Sequence, residues 1–82
     1  MSIILYSTEG CHLCEQAYAL LTEAGVSEQV DVVDIAFDDN LFSRYGVTIP
    51  VVSFYDNESV SELSWPFDAA ELALWLKSHG IN

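Results

Sequence analysis

The chain has 82 residues, 51% of them apolar, and sets thirteen acids against two basic residues, for a formal net charge of −11. That length accommodates one domain, residues 1–82, with material for a single core and no room for a second. Two cations, Arg44 and Lys77, cannot build the basic patch that nucleic acid requires, an anionic membrane surface is disfavoured for the same reason, and no apolar run approaches a membrane span. The opening run Met1 to Tyr6 has no basic n-region and is too short in apolar residues for a signal peptide, so a cytoplasmic location is expected. The acids serve solubility first, and their field would steer a basic protein partner toward the chain.

No repeat, low-complexity tract or linker interrupts the chain, and the glycines and prolines stand singly at element ends. Ile3-Ile4-Leu5-Tyr6 reads as a buried strand. After it, apolar residues recur at Leu13, Ala17, Leu20, Leu21 and Ala24, a helical stripe closed by Gly25. Val30, Val32, Val33 and Ile35 make a second strand. Asp38-Asp39-Asn40 supplies helix-start chemistry ahead of Leu41, Phe42 and Tyr45, and Gly46 ends that short helix. Pro50 to Tyr55 is a third strand, and the turn Asp56-Asn57-Glu58 leads to a fourth around Val60 to Leu63, the two pairing as a hairpin. Asp68 followed by Glu71 is a capping-box pattern before Leu72, Leu74, Trp75 and Leu76, with Gly80 as the stop. The order β-α-β-α-β-β-α is met economically by a four-stranded mixed sheet with helices on both faces: two β-α units supply parallel strands, the hairpin antiparallel ones.

The chemistry lies in Ser7-Thr8-Glu9-Gly10-Cys11-His12-Leu13-Cys14, which holds both cysteines of the chain between the first strand and the first helix. In a reducing compartment, a C-x-x-C at a strand-to-helix junction reads first as a thiol–disulfide redox pair rather than a permanent staple. A thiol attacks a disulfide only as its thiolate, and the unpaired N–H groups and dipole of a helix N-terminus favour that anion. Cys11, after Gly10 in a tight loop, is the expected exposed nucleophile; Cys14, one turn further in, is the expected buried resolving thiol. A protonated His12 would help the Cys11 thiolate, whereas Glu9 and Glu15 would repel it, so a modest lowering of the nucleophile's pKa is expected. His12 is equally readable as a solvent-facing residue. Trp75 is assigned to the core, Tyr6 to inward packing, and His79 to a favourable place near a helix C-terminus.

In this order, and with Tyr6-Ser7, Gly10-Cys11-His12-Leu13-Cys14-Glu15 and Tyr45-Gly46-Val47-Thr48-Ile49-Pro50-Val51 where they stand, nearly the whole chain resembles the thioredoxin-fold superfamily in its smallest form. It is more closely similar to the small glutaredoxin-like proteins of bacteria. The resemblance implies an α/β thioredoxin-like fold, a cis bond at Ile49-Pro50, and a substrate chain paired like an added strand with the backbone before that proline. It makes His12, Leu13, Ile49, Pro50 and Trp65 candidate substrate-binding residues, with core packing the other reading for Ile49 and Trp65. It implies a thiol–disulfide oxidoreductase acting on a disulfide-containing protein or small thiol, with no bound cofactor and a monomer as the expected state.

Glutathione as co-substrate fits less well. The family's lysine before the first cysteine is replaced by Thr8 or Glu9, and its Gly-Gly pair before the last helix by Ser64-Trp65-Pro66, where Pro66 offers no N–H. Only Arg44 is placed by the family pattern to meet an anion. A binding or redox-sensing module without turnover is the alternative from another class. A metal site is a third reading, but two cysteines do not close a four-ligand zinc site unless two chains pool their thiolates.

Overall fold

A computed structural model describes residues 3–56 and 59–80. In chain order the elements are β1 (Ile3–Ser7), α1 (His12–Glu23), a 3-10 turn at Ser27–Gln29, β2 (Val30–Asp34), a second 3-10 turn at Ile35–Phe37, α2 (Asp39–Tyr45), β3 (Val51–Asp56), β4 (Ser59–Ser64) and α3 (Ala69–Ser78). The expected order of strands and helices is therefore present. Of the expected turn Asp56-Asn57-Glu58, Asn57 and Glu58 lie outside the described residues. Several strand boundaries differ from the sequence reading by one residue: β1 continues to Ser7, and β3 to Asp56. Pro50 precedes β3 rather than opening it, and Ile35 leaves β2 because the Asp34 carboxylate accepts the Ala36 N–H at 2.9 Å, turning the chain one residue early.

The helices begin where side-chain oxygens meet their first amides. Asp38 accepts from the N–H groups of Asn40 and Leu41, and Asp68 from that of Glu71. Gly25, at φ +80°, follows the last residue of α1's C-terminal turn in a backbone conformation that L side chains rarely adopt.

The four strands form one sheet in the order β2-β1-β3-β4, with β1 parallel to β2 and antiparallel to β3, and β3 antiparallel to β4. Alternation along the strands builds two cores. Ile3 and Leu5 of β1 with Val52 and Phe54 of β3 face α1 and α3, packing against Ala17, Leu21, Leu72 and Leu76 together with Val26 and Phe67. Tyr6 and Val51 face the other way, toward α2, and join Ile35, Leu41, Tyr45 and Ile49 in a smaller cluster. Phe67, which the sequence reading passed over, is buried in the first core. Leu74, one of the apolar residues that follow the capping box, is largely exposed, because α3 turns Leu72 and Leu76 to the sheet and Leu74 away from it. Trp75 is half-buried, its indole N–H donating to Ser61 Oγ of β4 at 3.1 Å. No helix among the described residues is long and apolar enough to cross a membrane.

Candidate active site at the cysteine pair

Strand register brings three segments to one end of the sheet. Tyr6 at the end of β1 lies opposite Val51 at the start of β3, and Val51 lies opposite Ser64 at the end of β4. The loop after β1 carries the cysteines, the segment before β3 carries Ile49-Pro50, and the segment after β4 carries Trp65-Pro66. These three stretches are far apart in sequence and share one edge because antiparallel pairing aligns strand ends of opposite sense. The Trp65 N–H donates to the Pro50 carbonyl at 3.1 Å and ties the last two together. The Ile49–Pro50 and Trp65–Pro66 bonds are both cis.

Within the first loop, Gly10 sits at φ +79°, a left-handed conformation that lets the chain leave β1 and turn at once into α1. Cys11 is the N-cap of α1, in extended backbone, and its Sγ accepts the Cys14 N–H at 3.1 Å. A sulfur thus stands where a serine or aspartate oxygen commonly does, in contact with an amide that has no partner within the helix. Cys11 is partly exposed, whereas Cys14, on the inner face of the first turn, is 3% exposed. The two are joined as a disulfide, with Cα atoms 5.2 Å apart. Among the described residues no three His, Cys, Asp or Glu side chains gather as a metal-holding group.

His12 points outward. Its Nδ1 lies 3.7 Å from a Glu15 carboxylate oxygen, and both side chains are mostly in water, so any charge it carries is shared with that acid and screened. Leu13 is exposed, Ile49 and Trp65 are half-buried, and Pro50 is buried. Trp65 packs edge-on against Phe67 with ring centroids 5.1 Å apart, and both line a groove between α1 and the start of α3.

Behind Ile49-Pro50, the end of α2 holds the approach to the proline. The Tyr45 carbonyl accepts the N–H groups of Thr48 and Ile49 at 2.9 and 3.1 Å. The Tyr45 ring stacks on Tyr6 with centroids 4.3 Å apart, and its hydroxyl donates a hydrogen bond to the Glu62 carboxylate of β4. Burial, then the hydrogen bond and the charge of Glu62, push the Tyr45 phenol far above its ordinary range. Arg44 rests over the Tyr45 ring, 5.3 Å from its centroid.

A cavity of about 360 Å³ opens on the other side of α1, toward the edge strand β2. Both cysteines line it, with Leu5, Ser7, Thr8, Glu9, Gly10, Glu15, Tyr18 and Val32. None of His12, Leu13, Ile49, Pro50 and Trp65 does. The sequence reading placed Glu9 and Glu15 beside the thiols but missed Tyr18 and Val32. For Tyr18 a signal exists, since it stands four residues after Cys14 on the same face of a helix. For Val32 none does, because only the pairing of β2 with β1 brings it next to Leu5.

The model of the Glutaredoxin-like domain (DUF836) matches residues 2–77. Two solved structures of the structural-genomics target protein XcR50 from X. campestris are similar over nearly the full length. The X-ray structure has 39% identity over 94% of this chain and 97% of that one, with a TM-score of 0.81. The solution structure has 40% identity over 95% of each chain and a TM-score of 0.79. Thioredoxin 1 from Thermosipho africanus, at 16% identity, covers 96% of this chain and 93% of its own with a TM-score of 0.66, a likeness of fold alone. No curated protein matches. The chain belongs to the glutaredoxin-like domain family and sets an adjacent cysteine pair, suited to thiol redox chemistry, on a thioredoxin fold.

Proposed function

We propose that the protein is a dithiol thiol–disulfide oxidoreductase. The observation that carries this reading is the asymmetry of the pair: Cys11, partly exposed, caps a helix with its sulfur on the Cys14 amide, while Cys14 is buried directly behind it and within bonding reach. In the reduced protein the Cys11 thiolate, favoured by that N–H and the helix N-terminus, attacks one sulfur of a substrate disulfide. A Cys11–substrate bond forms and the first substrate sulfur leaves as a thiolate that takes up a proton. Cys14, losing its proton to solvent, then attacks Cys11 Sγ, the second substrate thiol leaves, and the Cys11–Cys14 disulfide remains. Two electrons have passed from the pair to the substrate, and a dithiol reductant returns them for the next turnover.

The substrate is a disulfide-containing protein or small disulfide, in a reducing cytoplasmic setting, and the protein works as a monomer. Glutathione is a poor donor on this reading. The cavity beside the cysteines presents Glu9 and Glu15 and no cation to its carboxylates, and Arg44 lies over Tyr45.

The test is turnover of a model disulfide with dithiothreitol as reductant. Cys11→Ser is expected to abolish turnover. Reduced Cys14→Ser, freed of dithiothreitol and then given the model disulfide, is expected to accumulate a mixed disulfide at Cys11, visible as an added substrate mass in intact-protein mass spectrometry. Full turnover by Cys11→Ser would sink the proposal.

A further inference from the structure

We propose that the cavity between α1 and β2 is a second substrate-binding site, one that takes a lysine or arginine side chain flanking the reactive cysteine of a polypeptide disulfide. The inference rests on the exchange reading above and names its substrate class. Leu5, only 1% exposed, closes the base of the cavity, Val32 and Tyr18 give it accessible apolar surface, and the exposed Glu9 and Glu15 belong to its lining, the Glu15 carboxylate lying 3.7 Å from His12 Nδ1. Val32 is about half exposed although it faces the helix layer, because β2 is the sheet's edge and α1 does not reach over it.

The shape and the charge select the same occupant. At about 360 Å³ the cavity lies near the small end of ligand pockets, which run from roughly 300 to 1,000 Å³, and suits one long side chain better than a folded surface. The stem of a lysine or arginine is aliphatic and covers apolar surface while its charged end seeks water or an anion. Here Val32 would take the stem, the Tyr18 face and the two carboxylates the cation. No Lys or Arg lines the cavity, so an acidic side chain in the same place would meet like charge without compensation. Since both cysteines border the space, an occupant attached one or two residues from a substrate cysteine is held with its disulfide at Cys11.

The experiment is single-turnover oxidation of the reduced protein by two disulfide-linked peptides, identical except that lysine or glutamate flanks the cysteine, with neutral hydroxyethyl disulfide as a third oxidant. The readout is the lysine-to-glutamate rate ratio within each variant. Wild type is expected to favour the lysine peptide about tenfold at low salt, the ratio narrowing as salt screens the carboxylates. Glu9→Gln with Glu15→Gln should bring the ratio close to the value seen at high salt. Glu28→Gln with Glu71→Gln makes the same change in net charge away from the cavity and should leave the ratio near that of wild type. Val32→Trp, which fills the cavity, should lower it as well. Equal effects of the two double variants would assign the preference to the whole protein's field and overturn the site. So would a wild-type ratio near one. Failure of wild type to react with hydroxyethyl disulfide would remove the exchange reading itself, a result separate from loss of discrimination between peptides.

Discussion

The two faces of the sheet are built on different principles. Under α1 and α3 lies a continuous apolar core in which Ile3, Leu5, Val52 and Phe54 are each at most 1% exposed, met by aliphatic side chains from both helices. Under the seven-residue α2 lies a smaller cluster organised by a tyrosine pair, with Ser53 buried nearby and Tyr55 and Val60 left open to solvent further along the sheet. The first face answers for stability by burying area. The second holds the segment before Pro50 in place through the Tyr45 carbonyl and anchors the Tyr45 ring to β4 through Glu62. The cysteine loop stands at the end of the sheet where both faces finish, so a rigid core and a positioning cluster meet at the reactive sulfurs.

The contrast breaks most visibly at Phe54. Phe54→Ala removes a fully buried ring from the larger core and is expected to lower the unfolding free energy by about 3–5 kcal/mol in a denaturant titration. A loss below about 1 kcal/mol would mean that the α1 and α3 face does not dominate stability.

A smaller effect is expected at Tyr45→Phe, about 0.5–1.5 kcal/mol at neutral pH, because Glu62 is exposed and regains water when its donor is removed. The pH dependence sharpens the comparison. Tyr45 titrates above the ordinary tyrosine value of 10.0, raised first by burial and then by the hydrogen bond and charge of Glu62, with Tyr6 adding to this and Arg44 opposing it. The folded state therefore holds the phenolic proton more tightly than the unfolded chain. The resulting stability is complete below pH 10 and is lost as pH rises through the raised folded value. Wild type should lose stability above pH 10 along a slope that Tyr45→Phe lacks, measured as unfolding midpoints over an alkaline series. Equal slopes in the two proteins would remove Tyr45 from the account.

The least effect is expected at Val60→Thr, on the open part of the α2 face, where the change should stay within about 0.5 kcal/mol. A larger loss would show that this stretch of sheet is covered in solution.

Much of this architecture is legible in the order of residues. The Asp38 and Asp68 caps, the Gly25 and Gly46 stops, the apolar run of Ile3 to Tyr6 and the helical stripe through Ala17 and Leu21 are local signals. Each works over a few residues, through a side chain reaching a nearby amide or through the periods of strand and helix. The same locality made the cysteine pair readable: a helix begins at Cys11, and that alone separates an outer sulfur from one a turn further in.

What escaped the reading depends on distant partners. Phe67, ahead of the α3 cap, belongs to no periodic stripe, and only its packing against Trp65 and the larger core buries it. The bond from Tyr45 to Glu62 joins residues seventeen apart on a helix and an edge strand, with no local trace in either. The cavity beside the sulfurs exists because β2 lies beyond the reach of α1 and leaves Val32 uncovered. By itself the sequence determined the elements, their ends to within about a residue, and the unequal exposure of Cys11 and Cys14, since these follow from short-range hydrogen bonding and periodicity. Only the tertiary structure decided which faces are sealed, what holds the segment before Pro50, and which residues line the space next to the disulfide, since these follow from how separate elements cover one another.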